Sequence, residues 1–518
     1  MRKSPLPSER LFLSGNEALA RGVWEAGLNV AAAYPGTPST EILENLGRYA
    51  EVDAQWSVNE KVAYEVAFGA SVGGARSLYA SKHVGLNVAM DPLMTSVYTG
   101  VNGGFVVVTA DDPGLHSSQN EQDNRWVGIF GKLPILEPAS PAEAYAFVKK
   151  AFDISERFDT PVLFRLTTRT AHAKEDVAVG ARMEVPKKPF ENCIEKYVMV
   201  PSFAAKRHVV VEQRLLALEK FAETTPLNKI DKESKKLGFI TAGVSYLYIK
   251  ESFPDASVLK LGMPYPLCKK KITAFAKSVK ELWVIEELDP FLEMQMKAMG
   301  LKFKVRDASF RLGELRPEFL PQIVAGKKKN VKPLPVRKPS LCAGCSHHFV
   351  YTAIKKTGAF VTGDIGCYTL GALPPYLSVH TCLCMGGGFT LHEGIRRAVK
   401  GHPVVGVVGD STFIHSGITG LINAVYNNVK GVLFILDNSI TAMTGGQDHP
   451  GTGYSLKGDV APKISIEAVC RACGVPQVDV IDPCKHNELE ALLRQRLTEN
   501  TLSVIIARSP CRLIKRNT

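Results

Sequence analysis

Short apolar runs alternate with amphipathic stretches along the first 185 residues of the chain. The runs LNVAAAY, GGFVVVTAD and PVLFRL have the length of strands, and NEKVAYEVAFGASVGG has small apolar residues at helical spacing. Alternation of this kind is typical of a parallel sheet covered by helices. We therefore predict an α/β domain over residues 1–185.

The same pattern returns twice, each time after a basic stretch. Residues 186–235 are Lys-rich and weakly patterned, and we predict a linker there with one helix, EQRLLALEKFAE. A second α/β unit begins at LGFITAGVSY and covers residues 236–325. A Pro-containing basic segment predicts a second linker over residues 326–339, and residues 340–518 again alternate strands with helices. The whole chain is thus predicted to be α/β.

Composition favours a soluble globular enzyme. The chain has 518 residues, of which 45% are hydrophobic and 22% charged, and its length suits about three domains of ~150 residues. No apolar run approaches the ~20 residues of a membrane span. The N-terminal residues also lack the apolar core of a signal peptide. We expect a cytoplasmic protein that does not enter a membrane.

The formal net charge is +12, which could favour binding to nucleic acid, to an anionic membrane or to an acidic protein. No helix-turn-helix, RNA-binding or zinc-finger pattern accompanies it, so no nucleic-acid partner is expected. The basic residues are spread, and each small cluster is most simply a solvated surface.

Two buried strands each end at an oxygen-bearing side chain. VVGVVGD ends at Asp410 and GVLFILDN ends at Asn438, with a helical stretch between them. A right-handed crossover places them on neighbouring strand ends, where open parallel sheets bind ligands. Their oxygens suit Mg²⁺ or Ca²⁺, of which Mg²⁺ usually completes its shell with phosphates and water, and Gly409 permits close backbone approach. The pattern predicts a magnesium–diphosphate site, with simple polar strand ends as an equally weighted alternative.

Cysteines are unevenly distributed along the chain. Residues 1–192 contain none of the eleven, whereas five fall within 43 positions: Cys342, Cys345, Cys367, Cys382 and Cys384. A disulfide framework is not expected in a cytoplasmic chain. Metal ligation and buried free thiols both remain open on this pattern alone.

Seven motifs look very like stretches of the large (alpha) subunit of indolepyruvate:ferredoxin oxidoreductase: AYPGTPSTEI, NEKVAYEVAFGAS, KHVGLNVAMDPLM, DDPGLHSSQNEQDNR, FRLTTRTAH, GDIGCYTLGALPPY and DNSITAMTGGQDHPGTG. That family belongs to the thiamine-diphosphate-dependent 2-oxoacid:ferredoxin oxidoreductases. The resemblance extends to about residue 512. It implies two thiamine-diphosphate-binding-type parallel-sheet domains, at 1–185 for the pyrimidine and 340–518 for the diphosphate, flanking a transketolase-C-terminal-like α/β domain.

The resemblance also implies an activity. Members oxidatively decarboxylate an aryl or other 2-oxoacid to acyl-CoA and CO₂, with coenzyme A as co-substrate and electrons passed through an iron–sulfur cluster to ferredoxin. A non-oxidative thiamine-dependent decarboxylase or ligase, which needs no cluster, is the alternative. A non-catalytic subunit that keeps the fold is disfavoured because the expected catalytic and metal-binding residues are present. His380 and Gly446 replace the family's usual Asp and His, so the side chain of the 2-oxoacid stays open.

Cofactor residues follow from the same resemblance. The motif Gly409-Asp410-Ser411 … Asn438 implies Mg²⁺ bound by Asp410, Asn438 and the backbone carbonyl of Ile440. The expected residues of the cofactor pocket are Gly366, Cys382, Met385, Gly386, Gly409, Asp410, Ser411, Asn438 and Ile440.

The catalytic acid is expected on the helix of the first domain. Thiamine enzymes use a carboxylate that hydrogen-bonds the pyrimidine ring, and an apolar pocket keeps such an acid protonated. Glu60 begins the helix and Glu65 lies within it, where a solvated surface role is the simpler interpretation. Glu60 lies nine residues before Gly69, the family spacing, so Glu60 is the predicted acid.

Substrate contacts are predicted on two loops. Thr37 in YPGTPST matches a family residue that contacts the substrate carboxylate or keto group, with a helix N-cap for STEIL as the alternative. His116 and Arg125 lie in the long polar loop DDPGLHSSQNEQDNR, and such loops are often functional.

A [4Fe–4S] cluster is implied by four matched cysteines. Relatives take ligands from a Cys-x-x-Cys segment, a Gly-Cys turn and a Ser-Pro-Cys, and the chain has LCAGCSHH, GDIGC and RSPC. The predicted ligands are Cys342, Cys345, Cys367 and Cys511. Three alternatives remain: zinc on Cys342, Cys345, Cys382 and Cys384; free thiols throughout; or a partial set, since Ala343 and Ser346 replace usual prolines. In the favoured interpretation, Cys382 and Cys384 line the cofactor pocket.

Partners are implied as well. Relatives usually continue into a ferredoxin-like domain with two clusters, whereas this sequence ends seven residues after Cys511. We therefore expect either a separate iron–sulfur subunit or direct docking of ferredoxin, whose acidity suits the positive charge. A smaller gamma-type (beta) subunit and a dimer of heterodimers are also expected.

Overall fold

A computed structural model describes residues 10–190, 192–330, 339–399 and 401–514. The chain forms two compact units, Met1–Lys332 and Pro333–Thr518. Three of its sheets have five or six strands, and the predicted α/β class is confirmed. No helix in the described ranges has the length and apolar character needed to cross a membrane.

The first unit contains a six-stranded parallel sheet and a two-stranded antiparallel one. Their strands are β1 (Arg10–Ser14), β2 (Val30–Ala33), β3 (Asp53–Trp56), β4 (Ser77–Lys82), β5 (Phe105–Asp111), β6 (Ile135–Leu136), β7 (Val162–Thr167) and β8 (Lys174–Ala178). The helices are α1 (Gly15–Glu25), α2 (Thr40–Leu46), α3 (Glu60–Val72), α4 (His83–Val88), α5 (Met90–Thr99), α6 (Arg125–Gly131), α7 (Pro141–Phe158), α8 (Thr168–His172), α9 (Ile194–Tyr197) and α10 (Pro201–Thr224).

The large sheet has the order β3-β2-β4-β5-β7-β6. Its central strands β4, β5 and β7 are buried along their whole length. Burial on both faces is the usual state of a parallel sheet, and it explains the near-continuous apolar run FVVVTA. Polar residues at the ends of these strands therefore mark the edge where the sheet opens to ligands.

A second sheet in the same unit has five strands in the order β13-β12-β10-β11-β9. Its strands are β9 (Asn228–Asp231), β10 (Leu237–Thr241), β11 (Ser257–Leu261), β12 (Glu281–Ile285) and β13 (Lys304–Val305). The helices are α11 (Ser245–Ser252), α12 (Lys269–Ser278), α13 (Phe291–Ala298) and α14 (Leu320–Val324), with 3₁₀ turns at Ala308–Arg311 and Pro317–Phe319.

The range predicted as the first linker is more structured than the sequence indicated. It holds the 24-residue helix α10, twice the length expected, and the edge strand β9. β9 pairs antiparallel with β11, so this sheet begins before residue 236. The sequence NKID gives little strand signal because an edge strand needs few apolar residues. Most of the second predicted linker lies outside the described residues.

The second unit is built on a parallel sheet with the order β14-β15-β16-β18-β17. Its strands are β14 (Phe360–Thr362), β15 (Val404–Gly409), β16 (Gly431–Asp437), β17 (Gln477–Ile481) and β18 (Leu502–Arg508). The helices are α15 (His347–Lys355), α16 (Gly387–Ala398), α17 (Asp410–Thr412), α18 (Ile418–Tyr426), α19 (Ile466–Ala472) and α20 (His486–Thr498). Cys367–Ala372 and Ala442–Thr444 are 3₁₀ turns, and Phe413–Gly417 is a π turn.

Candidate functional site

Glu60 is the first residue of α3 and is 7% exposed. The helix is capped by Asn59, whose side chain accepts a hydrogen bond of 2.9 Å from the Val62 N–H. Glu65 has a side chain 45% exposed and pairs with Lys61, so it is the solvated member of the two acids. Only Glu60 has the burial that the predicted acid requires.

The carboxylate of Glu60 lies against α4. A Cβ built on Gly85 would lie 2.6 Å from Glu60 Oε1, so glycine is needed for this approach. Glu60 follows β3, Thr37 follows β2 and Lys82 ends β4. These three strands are neighbours in the order β3-β2-β4, so the three residues share one edge of the sheet, which we name the Glu60 edge.

Thr37 lies in the turn between β2 and α2. The N-cap of α2 is Ser39, whose hydroxyl donates to the Gly36 carbonyl at 2.8 Å. The alternative role of Thr37 as the helix N-cap is therefore wrong. The Thr37 carbonyl accepts a hydrogen bond of 3.2 Å from the Ser117 hydroxyl, which ties the turn to the polar loop after β5.

Lys82 is a residue of this edge that sequence reasoning missed. It is 9% exposed and ends a strand of six buried residues. Its ammonium donates to the carbonyl of Ser117 at 2.6 Å and to the Ser117 hydroxyl at 3.3 Å. Burial lowers the pKa of Lys82 to about 8, and the charge of Asp112 opposes that shift. A charge that directly ends a buried strand was the available signal.

His116 and Arg125 occupy different environments. His116 is exposed in the polar loop. Arg125 is 1% exposed, pairs with Asp123, and lies 3.0 Å from Glu286. It also donates to the Glu287 carbonyl at 2.9 Å. Its guanidinium links the six-stranded sheet to residues that follow β12 of the five-stranded sheet, and the predicted substrate contact for Arg125 is corrected to a structural role.

Asp410 and Asn438 lie at neighbouring strand ends, as predicted. β15 and β16 are adjacent and parallel, with Gly409 opposite Leu436. Asp410 is 3% exposed, and its carboxylate accepts hydrogen bonds from the Ser411 N–H at 2.8 Å and the Ser439 N–H at 2.7 Å. The carboxylate is thus held in one orientation at what we name the Asp410 edge.

His449 also belongs to this edge, and the sequence did not reveal it. Its Nε2 lies 3.3 Å from Asp410 Oδ2. Its Nδ1 accepts a hydrogen bond of 3.1 Å from the Gly451 N–H, which leaves the ring proton on Nε2 to donate to Asp410. The two residues are 39 positions apart, beyond the reach of a local motif.

The other predicted cofactor residues are held nearby in the second unit. Asn438 Oδ1 accepts a hydrogen bond of 3.2 Å from the Ile440 N–H. The Ser411 hydroxyl accepts one of 3.0 Å from Thr441. The Asn438 carbonyl accepts another of 2.9 Å from the Cys511 N–H. This last bond joins a predicted magnesium ligand to a predicted cluster ligand.

A glycine turn lies beside the Asp410 edge. Gly386 caps α16 with φ +84°, and a Cβ there would collide with the Ser416 hydroxyl. That hydroxyl donates to the Met385 carbonyl at 2.7 Å. The Gly388 N–H donates to Asp364 at 3.1 Å. Such a side-chain-free turn at the start of a 12-residue helix suits a phosphate.

Asp364 holds this glycine turn by accepting the hydrogen bond from the Gly388 N–H. It is fully buried, and burial raises the pKa of its carboxyl to about 7. The Tyr368 hydroxyl donates to Asp364 and lies 3.2 Å from the Thr412 hydroxyl. A Cβ on Gly366 would collide with the Tyr368 ring. Gly366 and Asp364 therefore shape the floor of the predicted cofactor pocket.

A cavity of about 440 Å³ lies next to the Asp410 edge. Asn438 is one of its lining residues, together with five cysteines: Cys342, Cys345, Cys367, Cys484 and Cys511. We name it the cysteine cavity. All four predicted cluster ligands line this cavity, although Cys367 is 144 residues away from Cys511 in the sequence.

Thiols of the cysteine cavity are close enough to affect the pKa of Cys367. Burial raises the pKa of Cys367 to about 11, and the neighbouring Cys345, Cys511 and Cys342 raise it further. Cys382 lies elsewhere, with its sulfur 3.7 Å from the Asp364 carbonyl. Of the four cysteines in the alternative zinc set, only Cys342 and Cys345 line this cavity.

The described residues contain no group of three or more His, Cys, Asp or Glu side chains placed to hold a metal ion. Such a group would converge on a single point. The four thiolates of a [4Fe–4S] cluster surround a larger body instead. Four cysteines around one cavity fit that requirement.

Two family models match the chain. "Thiamine pyrophosphate enzyme, C-terminal TPP binding domain" matches residues 364–507, and "Pyruvate flavodoxin/ferredoxin oxidoreductase, thiamine diP-bdg" matches residues 21–213. The first range contains the Asp410 edge and the second contains the Glu60 edge. Both matches support thiamine diphosphate as the cofactor.

Curated relatives decide the family. Indolepyruvate oxidoreductase subunit IorA of Archaeoglobus fulgidus is 40% identical over 98% of this chain and 87% of its own length. IorA of Pyrococcus horikoshii is 38% identical over the same shares. The chain belongs to the IorA family. It is accordingly a 2-oxoacid:ferredoxin oxidoreductase of the thiamine-dependent class, and the family predicted from the motifs is confirmed.

A solved structure shows the same fold. The 2-oxoglutarate:ferredoxin oxidoreductase from Magnetococcus marinus, with 2-oxoglutarate, coenzyme A and succinyl-CoA bound, aligns with a TM-score of 0.53. It covers 62% of this IorA-family chain and 66% of that chain at 15% identity. At that identity the likeness concerns the fold alone.

Proposed function

We propose that this chain is the large subunit of an enzyme that oxidatively decarboxylates an aryl 2-oxoacid to acyl-CoA and CO₂. The observation that carries the proposal is the contact between the Asp410 edge and the cysteine cavity. Asn438 lines the cavity and its carbonyl binds the Cys511 N–H at 2.9 Å. A non-oxidative decarboxylase has no use for a thiol cavity beside its cofactor, so this contact favours the oxidative reaction.

The Asp410 edge would hold the diphosphate and its Mg²⁺. The proposed ligands are one carboxylate oxygen of Asp410, the side chain of Asn438 and the carbonyl of Ile440, all hard oxygen donors. Two backbone N–H groups and His449 orient the carboxylate before any metal binds. The glycine turn at Gly386 has no side chain that would keep the phosphates away from the backbone.

Thiamine diphosphate, when bound, supplies a carbanion that attacks the keto carbon and holds the electrons released on decarboxylation. Glu60 is the residue proposed to hydrogen-bond the pyrimidine and to hold the proton there. Its side chain is 7% exposed and lies against Gly85, which holds the carboxyl group in one place on the Glu60 edge. Thr37 is proposed to donate its hydroxyl to the substrate carboxylate or keto oxygen.

The cysteine cavity would hold one [4Fe–4S] cluster on Cys342, Cys345, Cys367 and Cys511. Its place next to Asn438 makes the path from the cofactor site to the cluster short. Electrons would leave to ferredoxin or to a separate iron–sulfur subunit. The net charge of +12 suits an acidic electron acceptor.

Partners complete the proposal. The curated relatives are named as one subunit of an oxidoreductase, and we propose a smaller gamma-type subunit for this chain, in a dimer of heterodimers. Coenzyme A is the proposed acyl acceptor, the cytoplasm the proposed location, and the three large sheets are proposed to be the pyrimidine-binding, transketolase-C-terminal-like and diphosphate-binding domains.

The test is anaerobic purification with the smaller subunit, followed by thiamine, iron and sulfide quantification and a screen of 2-oxoacids with ferredoxin. We expect about one thiamine diphosphate and four irons per large subunit, and CoA-dependent reduction of ferredoxin by aryl pyruvates. An active, iron-free enzyme that releases an aldehyde would contradict the oxidative reaction in favour of the non-oxidative one.

A further inference from the structure

Lys82 is a buried cation at the Glu60 edge that the proposed function does not use. It ends β4 at the carboxyl edge of the sheet and is 9% exposed, at the end of a strand whose residues are all buried. An ammonium carries three N–H donors. The two hydrogen bonds to Ser117, at 2.6 Å and 3.3 Å, leave one donor for a ligand.

The surroundings of Lys82 place it beside the predicted substrate turn. A Cβ on Gly36 would lie 3.0 Å from Lys82 Cβ, so the lysine stem packs on the turn that carries Thr37. Ser117 accepts from the Lys82 ammonium and donates to the Thr37 carbonyl at 3.2 Å. One serine therefore separates the ammonium from Thr37.

The charge of Lys82 is poorly compensated by the protein. Asp112 is the nearby acid, but it accepts hydrogen bonds from the Ser118 hydroxyl at 2.6 Å, the Ser117 N–H at 2.8 Å and the Thr168 hydroxyl at 2.7 Å. Among the described residues, no carboxylate lies within ion-pair distance of the Lys82 ammonium. Burial lowers its pKa, which is the response of a cation that lacks a partner. Binding an anion would remove that penalty.

We propose that Lys82 binds the carboxylate of the 2-oxoacid substrate, with Thr37 beside it. This inference rests on the proposed function and adds the residue that selects an anionic substrate. The Glu60 edge offers the site on geometric grounds. Glu60 lies against Gly85, three residues beyond Lys82, so the acid and the cation lie on the same edge of the sheet.

The experiment compares an anionic and a neutral inhibitor of the holoenzyme with its smaller subunit. The probes are the phosphonate analogue of an aryl pyruvate and the corresponding aryl pyruvamide. They are tested on the wild type, Lys82→Met, Lys82→Arg and the control Lys150→Met, whose lysine side chain is 62% exposed. Ferredoxin reduction gives KM and kcat for the aryl pyruvate, and calorimetry gives binding of both probes without turnover.

We expect Lys82→Met to weaken phosphonate binding and raise KM about 10- to 100-fold, the equivalent of ~1.4–2.8 kcal/mol. Binding of the pyruvamide should change less than threefold, and Lys82→Arg should recover most of the phosphonate affinity. Equal weakening of both probes would overturn the inference, because it would show that Lys82 only supports the loop at Ser117. An unchanged KM in Lys82→Met would overturn it too. If the wild type reduces no ferredoxin with any 2-oxoacid but Lys82→Met still loses phosphonate binding without losing pyruvamide binding, the proposed function fails and the assignment of Lys82 as an anion-binding residue stands.

Discussion

The Asp410 edge and the cysteine cavity share Asn438 but are built in opposite ways. At the Asp410 edge the carboxylate already has partners: two backbone N–H groups and the His449 ring. In the cysteine cavity the thiols face an open space, and the pKa values of Cys345 and Cys367 are raised by burial and by neighbouring thiols. The protein pre-organises the carboxylate of the first region, whereas the thiols of the second surround a space that a metal group would fill.

This difference indicates how Mg²⁺ would bind at the Asp410 edge and how an iron–sulfur cluster would bind in the cysteine cavity. Pre-organised oxygens bind a small, exchangeable ion with little rearrangement. Protonated thiols bind iron only with release of protons, and the bound group then compensates the charge. We therefore expect the two regions to fail independently when they are mutated.

The largest effect is expected from Asp410→Ala. The change removes a proposed ligand of Mg²⁺, so thiamine diphosphate affinity should fall by more than ~100-fold, beyond the ~10–100-fold typical of a residue that only orients a ligand. Titration calorimetry with Mg²⁺ measures it. Iron content should remain that of the wild type, and loss of iron together with thiamine would show that the two regions depend on each other.

The converse variant is Cys367→Ala. It removes a half-buried thiol of the cavity that is a proposed cluster ligand, so iron and sulfide should fall by more than half while thiamine binding stays within about twofold. Cys484→Ser is the matched control in the same cavity and should keep its iron. Metal loss in Cys384→Ser with no loss in Cys367→Ala would instead support the alternative zinc set.

His449→Ala tests the pre-organisation of Asp410. The loss of the Nε2 donor should weaken Mg²⁺-dependent thiamine binding by ~10–100-fold without altering iron content. His449→Gln, which retains an N–H donor, should lose less. Identical affinity in all three proteins would show that Ser411 and Ser439 alone position the carboxylate.

The smallest expected effect is the pH dependence of Cys367 alkylation. Because the pKa of Cys367 is raised to about 11, its thiol form predominates at pH 7, and the reactive thiolate increases about tenfold per pH unit. In cluster-free protein, alkylation of Cys367 should therefore keep rising from pH 7 to pH 10. Peptide mass spectrometry follows the rate. A plateau near pH 8.5, the behaviour of an ordinary thiol, would contradict the raised pKa.

Much of the fold and part of the site could be predicted from the sequence. The fully buried strands VVVTAD and GVLFILD gave clear signals because parallel strands are apolar on both faces. Asp410 and Asn438 were predicted together because a strand–helix–strand crossover brings strand ends to one edge. The four cysteines were found through motifs rather than spacing, since Cys367 and Cys511 meet only in the folded domain.

The misses have physical causes as well. Arg125 was assigned to the substrate because a polar loop looks functional, but its acidic partner Glu286 lies on a distant part of the chain. The contacts of His449 with Asp410 and of Lys82 with Ser117 span 39 and 35 residues, so neither contact could be predicted from a local pattern. The strand β9 was missed because a short edge strand can be polar.

The most direct test of the account is the turnover of Glu60→Gln, with thiamine diphosphate measured in the same sample and Glu65→Gln as the matched control. Glutamine keeps the shape of the side chain but removes the titratable proton, so we predict full cofactor content and a turnover lower by ~10²–10⁴-fold. Glu65→Gln should retain nearly all activity, since its carboxylate is exposed. Near-normal turnover of Glu60→Gln would contradict the assignment of Glu60 as the acid that activates the cofactor.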